Sequence, residues 1–289
     1  MLKGRVGIIG GSGLYDIEGI KDVKAVKVKT PFGDPSDEYT TGVLEGQEVV
    51  FLPRHGKGHR RLPSEVNYRA NIYGMKSLGV EAIISVSAVG SLKKELRPLD
   101  IVVPDQFVDR TNQARKMTFF GDGIAAHIAF AEPVCPELSM VLVDAGRGSG
   151  ATMHEKGTYL NMEGPAFSTK AESLLYRSWG MDVIGMTNMA EAKLAREAEI
   201  CYATLACVTD YDCWYAAEGH ECVTVDLIIQ NLLKNVAVSK EILKKAIPKI
   251  PGMRNCVCRS ALKDAIITSR DAISPEAKKR LGIIIGRYV

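Results

Sequence analysis

The chain has 289 residues, 46% hydrophobic and 25% charged, which excludes a disordered or fibrous protein. Thirty-seven basic against 34 acidic residues leave a charge of +3, too small a surplus to point to nucleic acid as a partner. No run of about 18 apolar residues exists, so neither a membrane span nor a membrane partner is expected. The opening MLKGRVGIIGGSGLYD lacks the apolar stretch of a secretory leader. Seven irregularly spaced cysteines, in a chain long enough to build its core without staples, point to a reducing cytoplasm.

Apolar, β-rich runs recur at residues 5–9, 49–52, 82–87, 101–103, 157–162, 182–186 and 201–208, as for strands buried on both faces. Further β segments near Val26, Tyr39 and Val49 argue for a mixed, partly antiparallel sheet over a doubly wound one. Ser64 is placed to cap a helix that turns Val66, Ala70, Tyr73 and Leu78 toward the core. Residues 111–151, rich in Gly, Pro and polar side chains, read as long active-site or interface loops. Thr169 and Glu172 form a T-x-x-E capping box ahead of Leu174, Leu175 and Trp179, and Gly180 closes that helix. Residues 189–198 are strong helix formers. A long helix follows over 225–246, then two shorter ones, the last opened by Ser274-Pro275. Cys256-Val257-Cys258 is too short for a zinc knuckle and strained as a disulfide, so it reads as structural.

Six segments carry chemistry. Gly10-Gly11-Ser12-Gly13 ends an apolar strand, so its N–H groups can face an anion. Asp16 stands where a dinucleotide fingerprint needs its third glycine, and no Lys-Ser or Lys-Thr makes it a P-loop. In Pro53-Arg54-His55-Gly56-Lys57-Gly58-His59, the glycines argue against a helix carrying two zinc-binding histidines. An Arg-His pair at a strand end suits an oxyanion, with the guanidinium as a fork and the imidazole as a further donor; a solvated basic loop is the alternative. Ser87-Ala88-Val89-Gly90 offers small residues for close backbone approach, or a tight turn. Glu163-Gly164-Pro165-Ala166-Phe167 can hold a polar ligand against a ring, or serve only as a loop. Thr187-Asn188 sets a hydroxyl at a strand-to-helix junction, where a cap is the plainer reading. Thr209-Asp210-Tyr211-Asp212 closes an apolar strand with two acids, and ligands gather at the carboxyl ends of strands. One acid beside another in a buried place has a raised pKa and can serve as a general acid; capping a turn is the alternative.

In register, GIIGGSGL, TPFGDPSD, PRHGKGH, PSEVNYRANIY, SAVGSL, DQFVDRT (with Gln106), EGPAFSTKAES, GMTNMAEAKLAREAEICYA and TDYDCW resemble the 5′-methylthioadenosine phosphorylases of the purine nucleoside phosphorylase superfamily. The resemblance spans residues 5–245. It departs at Ala166, where a longer polar side chain is common, at Ser87 for Thr, and at 188–190, which lack a usual proline. It implies an α/β fold, a mixed central sheet, partly barrel-like and flanked by helices, as one domain over 1–289 that includes the helical segment from about 223. It also implies a homotrimer or dimer of trimers, small-molecule substrates, and neither a metal nor an organic cofactor. The implied reaction is phosphorolysis of 5′-methylthioadenosine, with 5′-methylthioinosine or unmodified purine nucleosides as alternatives. Phosphate would meet Ser12, Arg54, His55, Ser87, Ala88 (through its backbone) and Thr187, with Arg54 the one fixed cation of the cradle. Met186 would contact the ribose, Phe167 the base and His59 the 5′ substituent. Asp210 and Asp212 would meet the purine N7 and 6-amino group and act as the catalytic acids.

Overall fold

The structure is a computed structural model that describes residues 4–11, 13–14, 17–112, 114–217, 225–252 and 256–289. The chain starts with β1 (Arg5–Gly10), β2 (Lys21–Val26), β3 (Tyr39–Leu44), β4 (Gln47–Pro53), α1 (Tyr68–Ser77) and β5 (Val80–Ser91). It continues through β6 (Ile101–Val102), β7 (Gln106–Arg110), α2 (Pro136–Gly148), β8 (Met153–His154), β9 (Thr158–Met162) and α3 (Lys170–Ser178). The last elements are β10 (Val183–Gly185), α4 (Asn188–Glu197), β11 (Cys201–Tyr211), α5 (Trp214–Ala217), α6 (Val225–Ala246) and α7 (Pro275–Ile285).

The expected mixed sheet is present, with strand order β2-β3-β4-β1-β5-β10-β9-β7; β11 lies on the other side of β5 and leads to β6 and β8. The central strands β1, β4, β5 and β11 are covered on both faces because their apolar side chains alternate between two cores. Val6, Ile8, Ile84, Ala203 and Leu205 pack with α2 and α6 through Leu138, Leu142, Ile242 and Leu243. Ile9, Val50, Leu52, Ile83 and Tyr202 pack with α1, α4 and α7 through Ile72, Leu194 and Leu281.

The 12-residue strand β5 is where the sheet forks. Along one edge β1 pairs with it as far as Ser85, and β10 joins in the opposite direction at Gly90 and Ser91. Along the other edge β11 pairs continuously from Ala82 to Ser91, apart from a shift between Val208 and Asp210. Residues 86–89 therefore have one edge open to whatever lies between β1 and β10.

Several expectations need correction. The helix after residue 64 starts later: Asn67, not Ser64, is the N-cap of α1, and its side chain accepts from the Ala70 N–H at 3.1 Å. Residues 62–66 form a turn instead, in which Glu65 accepts from the Leu62 N–H at 2.8 Å. The segment 111–151 is not all loop, because α2 occupies Pro136–Gly148. Pro136 sits in its first turn, and Leu138, Leu142, Val143 and Ala145 are buried at helical spacing; its cap, Cys135, has no capping side chain to announce it. The capping box of Thr169 and Glu172 is present, but α3 buries Ser173 and Tyr176 and leaves Leu174, Leu175 and Trp179 exposed.

Candidate active site

A cavity of ≈ 490 Å³ opens at the fork. Arg54, His55, His59, Ser87, Ala88, Phe167, Met186, Thr187, Asp210 and Asp212 all line it, although they come from five separated parts of the chain. Ser12 lies outside the described residues.

Arg54 immediately follows β4, and its N–H donates to the Gly10 carbonyl at 2.9 Å, which ties the loop to the end of β1. The side chain is buried. Its Nε and Nη2 donate to Glu191 at 2.5 and 3.1 Å, and Nη2 also reaches Ser85 Oγ at 2.6 Å. Nη1 donates to the Val86 carbonyl at 3.1 Å, at the open edge of β5, which leaves one of its N–H groups for a ligand. Burial opposes the charge, but the ion pair with Glu191 outweighs burial and keeps Arg54 protonated. Arg54, expected as the one fixed cation of the cradle, thus has its charge already matched by Glu191. Nor is it the only cation, since Arg60 and Arg61 also line the cavity.

His55 differs from expectation as well. Its Nδ1 lies 2.8 Å from the Arg61 carbonyl, a group that can only accept, so Nδ1 carries the proton. Burial and the neighbouring Arg54 push its pKa down to about 4, so the ring is neutral and Nε2 is an acceptor rather than a donor. The ring stacks on His59, with centroids 4.3 Å apart.

Asn188 organises the hydroxyls at this end. Its Oδ1 accepts from Ser87 at 2.8 Å, Tyr159 at 3.1 Å and Thr187 at 3.2 Å, while Nδ2 donates to Thr204 at 2.8 Å and Ser85 at 3.2 Å. Glu191, one turn further along α4, also accepts from Ser85 at 2.9 Å and Tyr202 at 2.9 Å. From sequence Asn188 reads only as a cap alternative to Thr187, and Glu191 carries no role. Thr187 does occupy the N-cap position of α4, without a capping hydrogen bond. Strand alternation sends the Ala88 N–H to the same open edge as the Val86 carbonyl, beside these hydroxyls.

At the far end, Asp210 stands opposite Gly90 across β11 and β5. A Cβ at Gly90 would crowd Ile184 Cγ2 at 3.2 Å and touch Asp210 Oδ2 and Asp212 Cβ at an ordinary 3.6 Å, so both acids lie against this position. Asp210 Oδ1 accepts from Thr209 Oγ1 at 2.6 Å. Burial, with the charge of Asp212 adding to it against that hydrogen bond, raises the Asp210 pKa to about 6. Burial raises Asp212 too, and its Oδ2 is enclosed without a hydrogen-bond partner among the described residues. An orphan acceptor beside a cavity is a place for a ligand's donor.

Phe167 is 68% exposed and lies at the rim. Glu163 does not reach the ligand space: it pairs with Arg115 Nε at 3.1 Å, and Arg115 in turn donates to the Glu163 and Met186 carbonyls. The long helix α6 closes the cavity with Leu232 and Val236, a contribution its sequence did not signal. Asn231 and Asn235 of α6 donate to the carbonyls of Thr209 at 2.8 Å and Val208 at 3.0 Å, fixing that helix to the acid-bearing strand.

Residues 5–248 match the family model described as the phosphorylase superfamily. An S-methyl-5′-thioadenosine phosphorylase of Geobacter sulfurreducens is 62% identical over 98% of this chain and 99% of that one. A methylthioadenosine phosphorylase from an antarctic soil metagenomic library superposes with a TM-score of 0.92 at 50% identity, over 96% of this chain and 98% of that one. A mutant adenosine/methylthioadenosine phosphorylase of Schistosoma mansoni, in complex with methylthioadenosine, gives a TM-score of 0.80 at 39% identity over 87% and 93% of the two chains. This chain belongs to the phosphorylase superfamily, within the family of S-methyl-5′-thioadenosine phosphorylases.

Proposed function

We propose that the protein cleaves 5′-methylthioadenosine with inorganic phosphate, giving adenine and 5-methylthioribose-1-phosphate. The observation that carries this reading is the polarity of the cavity: cation and hydroxyls at one end, two acids with raised pKa at the other. Breaking a ribosyl–purine bond leaves the sugar oxocarbenium-like and loads negative charge on the departing base. A phosphate dianion beneath C1′ stabilises the first and then captures it. The ends of β1 and β5, with Ser12, Arg54, His55, Ser87, Ala88 and Thr187, would hold that dianion. Because Glu191 already matches Arg54, the pair adds no net charge, and the dianion keeps its own for the reacting carbon. The bare Nε2 of His55 suits a phosphate that still carries a proton.

Asp210, protonated, would donate to N7, which is typically worth ~10²–10⁴-fold in rate. The second oxygen of Asp210, and the Oδ2 of Asp212 that has no partner among the described residues, would accept from the 6-amino group. Met186 would meet the ribose, Phe167 the base and His59 the 5′ group. No metal or organic cofactor takes part in this chemistry. The exposed Leu174, Leu175 and Trp179 of α3, near the rim carrying Phe167, support a homotrimer or dimer of trimers in which a second copy covers them. A reducing cytoplasm suits the six free cysteines among the described residues. Adenine released from methylthioadenosine only when phosphate is supplied supports the reading; release without phosphate refutes it.

A further inference from the structure

Far from the cavity, at the start of β11, four cysteines from three distant stretches of chain meet. Asp210 lies nine residues further along that strand, ~30 Å away at ~3.3 Å per residue. Cys135 caps α2, Cys201 opens β11, and Cys256 and Cys258 bracket the first residue of a 3-10 turn, Val257–Ser260. All are buried, and their four sulfurs lie within 4.8 Å of one another. Cys135 Sγ is 3.3 Å from Cys256 Sγ, and the Cys258 N–H donates to Cys256 Sγ at 3.4 Å.

One buried thiol is an ordinary small hydrophobe. Four sulfurs converging on a single point are a ligand set. A tetrahedral S₄ shell with metal–sulfur bonds of ~2.3 Å has edges of ~3.8 Å, so the widest pairs need to close by no more than ~1 Å and the Cys135–Cys256 pair to open by ~0.5 Å. No histidine or carboxylate belongs to the group among the described residues, which favours a soft cation over Mg²⁺ or Ca²⁺. Arg196 is buried nearby and, among the described residues, donates to the neutral Ala129 and Glu132 carbonyls, so its charge is available to offset thiolates. A pairwise reading fits less well: a Cys-x-Cys disulfide is strained, and crossed pairs would need an oxidant.

We infer that Cys135, Cys201, Cys256 and Cys258 form a structural site for a soft d¹⁰ metal ion, Zn²⁺ in a reducing cell. Loading balances without electron transfer: Zn²⁺ displaces four thiol protons and leaves a tetrathiolate complex of charge −2. With all four positions taken by protein, no coordination site remains for substrate, so the role is to staple residues 256–258 to α2 and β11. This site shares no residue with the cavity and does not depend on the proposed function.

The test uses the full-length protein purified under reducing conditions without chelator. Elemental analysis should find about one zinc per chain, and apoprotein refilled with Co²⁺ should show thiolate-to-cobalt charge-transfer absorption. The double variant C256S/C258S should lose bound metal at least ~10-fold, while Cys213→Ser, outside the cluster, should retain it. If the double variant does not fold, the wild-type stoichiometry and cobalt spectrum decide alone. Wild-type protein that holds no zinc and gives no charge-transfer band overturns the proposal. So does a mass short of two or four hydrogens with matching loss of free thiols, because the cluster would then hold disulfides.

Discussion

At the Arg54 end of the cavity, Arg54, Glu191, Asn188, Ser85 and Tyr202 satisfy one another, all but one Arg54 N–H, before any ligand arrives, whereas at the Asp210 end a raised carboxyl and an Asp212 oxygen with no partner among the described residues await one. The difference follows the chemistry proposed for each end. Holding a nucleophile asks for rigidity, which a saturated network supplies. Protonating a leaving group asks for a proton that is not already engaged, and an enclosed carboxyl supplies that.

Replacing the acid should break the second half of this contrast with the largest effect. Asp210→Asn should lower kcat/KM for methylthioadenosine by ~10²–10⁴-fold, since an amide cannot protonate N7. It should gain relative activity on methylthioinosine, because its N–H can donate to a 6-oxo group that the carboxyl's lone pairs oppose at ~1–3 kcal/mol. Measuring both substrates with both proteins checks it; full activity on methylthioadenosine would move the role to Asp212.

Breaking the saturated end should act on folding as much as on binding. Arg54→Ala leaves Glu191 buried without its partner and should cost ~3–5 kcal/mol of stability in urea unfolding. The phosphate KM should also rise at least ~10-fold. Removing Glu191 as well, as R54A/E191A, should recover part of the stability but none of the phosphate affinity. Equal losses of stability in the single and double variants would contradict the pairing.

The middle of the cavity sharpens the comparison. With Leu232, Val236 and Met186 among its lining, it should prefer a 5′-methylthio group to a 5′-hydroxyl. The ratio of kcat/KM should be ~10–200-fold, since an apolar pocket rejects an added hydroxyl only weakly. Equal values for methylthioadenosine and adenosine would exclude it.

The smallest effect is set by pH. The protonated form of Asp210 is the proposed donor, so kcat/KM for the nucleoside at saturating phosphate should fall as pH rises through about 6. The slope should approach ~10-fold per pH unit, and a profile flat from pH 5 to 8 would refute the assignment. Stability carries the same sign: the folded state binds the Asp210 proton more tightly than the unfolded chain, so this group's contribution shrinks as pH climbs from 3.8 toward about 6.

What could be read from sequence was whatever local chemistry dictates. The capping box of Thr169 and Glu172 is complete within four residues, and α6 spans Val225–Ala246 as its periodicity foretells. Strands β1, β4, β5 and β11 are apolar enough to declare themselves. Hidden features depended on distance along the chain. Arg54 and Glu191 are 137 residues apart, and nothing near either one announces the pairing. Asn188 and Glu191 did carry a signal, being polar residues one turn apart at the head of an otherwise core-facing helix, but the partner that makes sense of them is tertiary. His55 was legible as a site residue, yet its proton position depends on the Arg61 carbonyl six residues on. Helix α2 escaped because its cap is a cysteine and glycines fill its last turn.

The open edge of β5 between Ser85 and Gly90 also bears on how this protein can vary. Pairing fixes the register before and after the opening, and β11 fixes it on the other side. A single residue inserted between Val86 and Val89 would turn every following side chain to the opposite face, moving Gly90 away from Asp210. Deleting one would do the same. In the long connection before α2, by contrast, added length is absorbed at the surface at modest entropic cost. The number of residues from 86 to 89 is therefore fixed in the lineage of this chain, and insertions should collect in the outer loops instead.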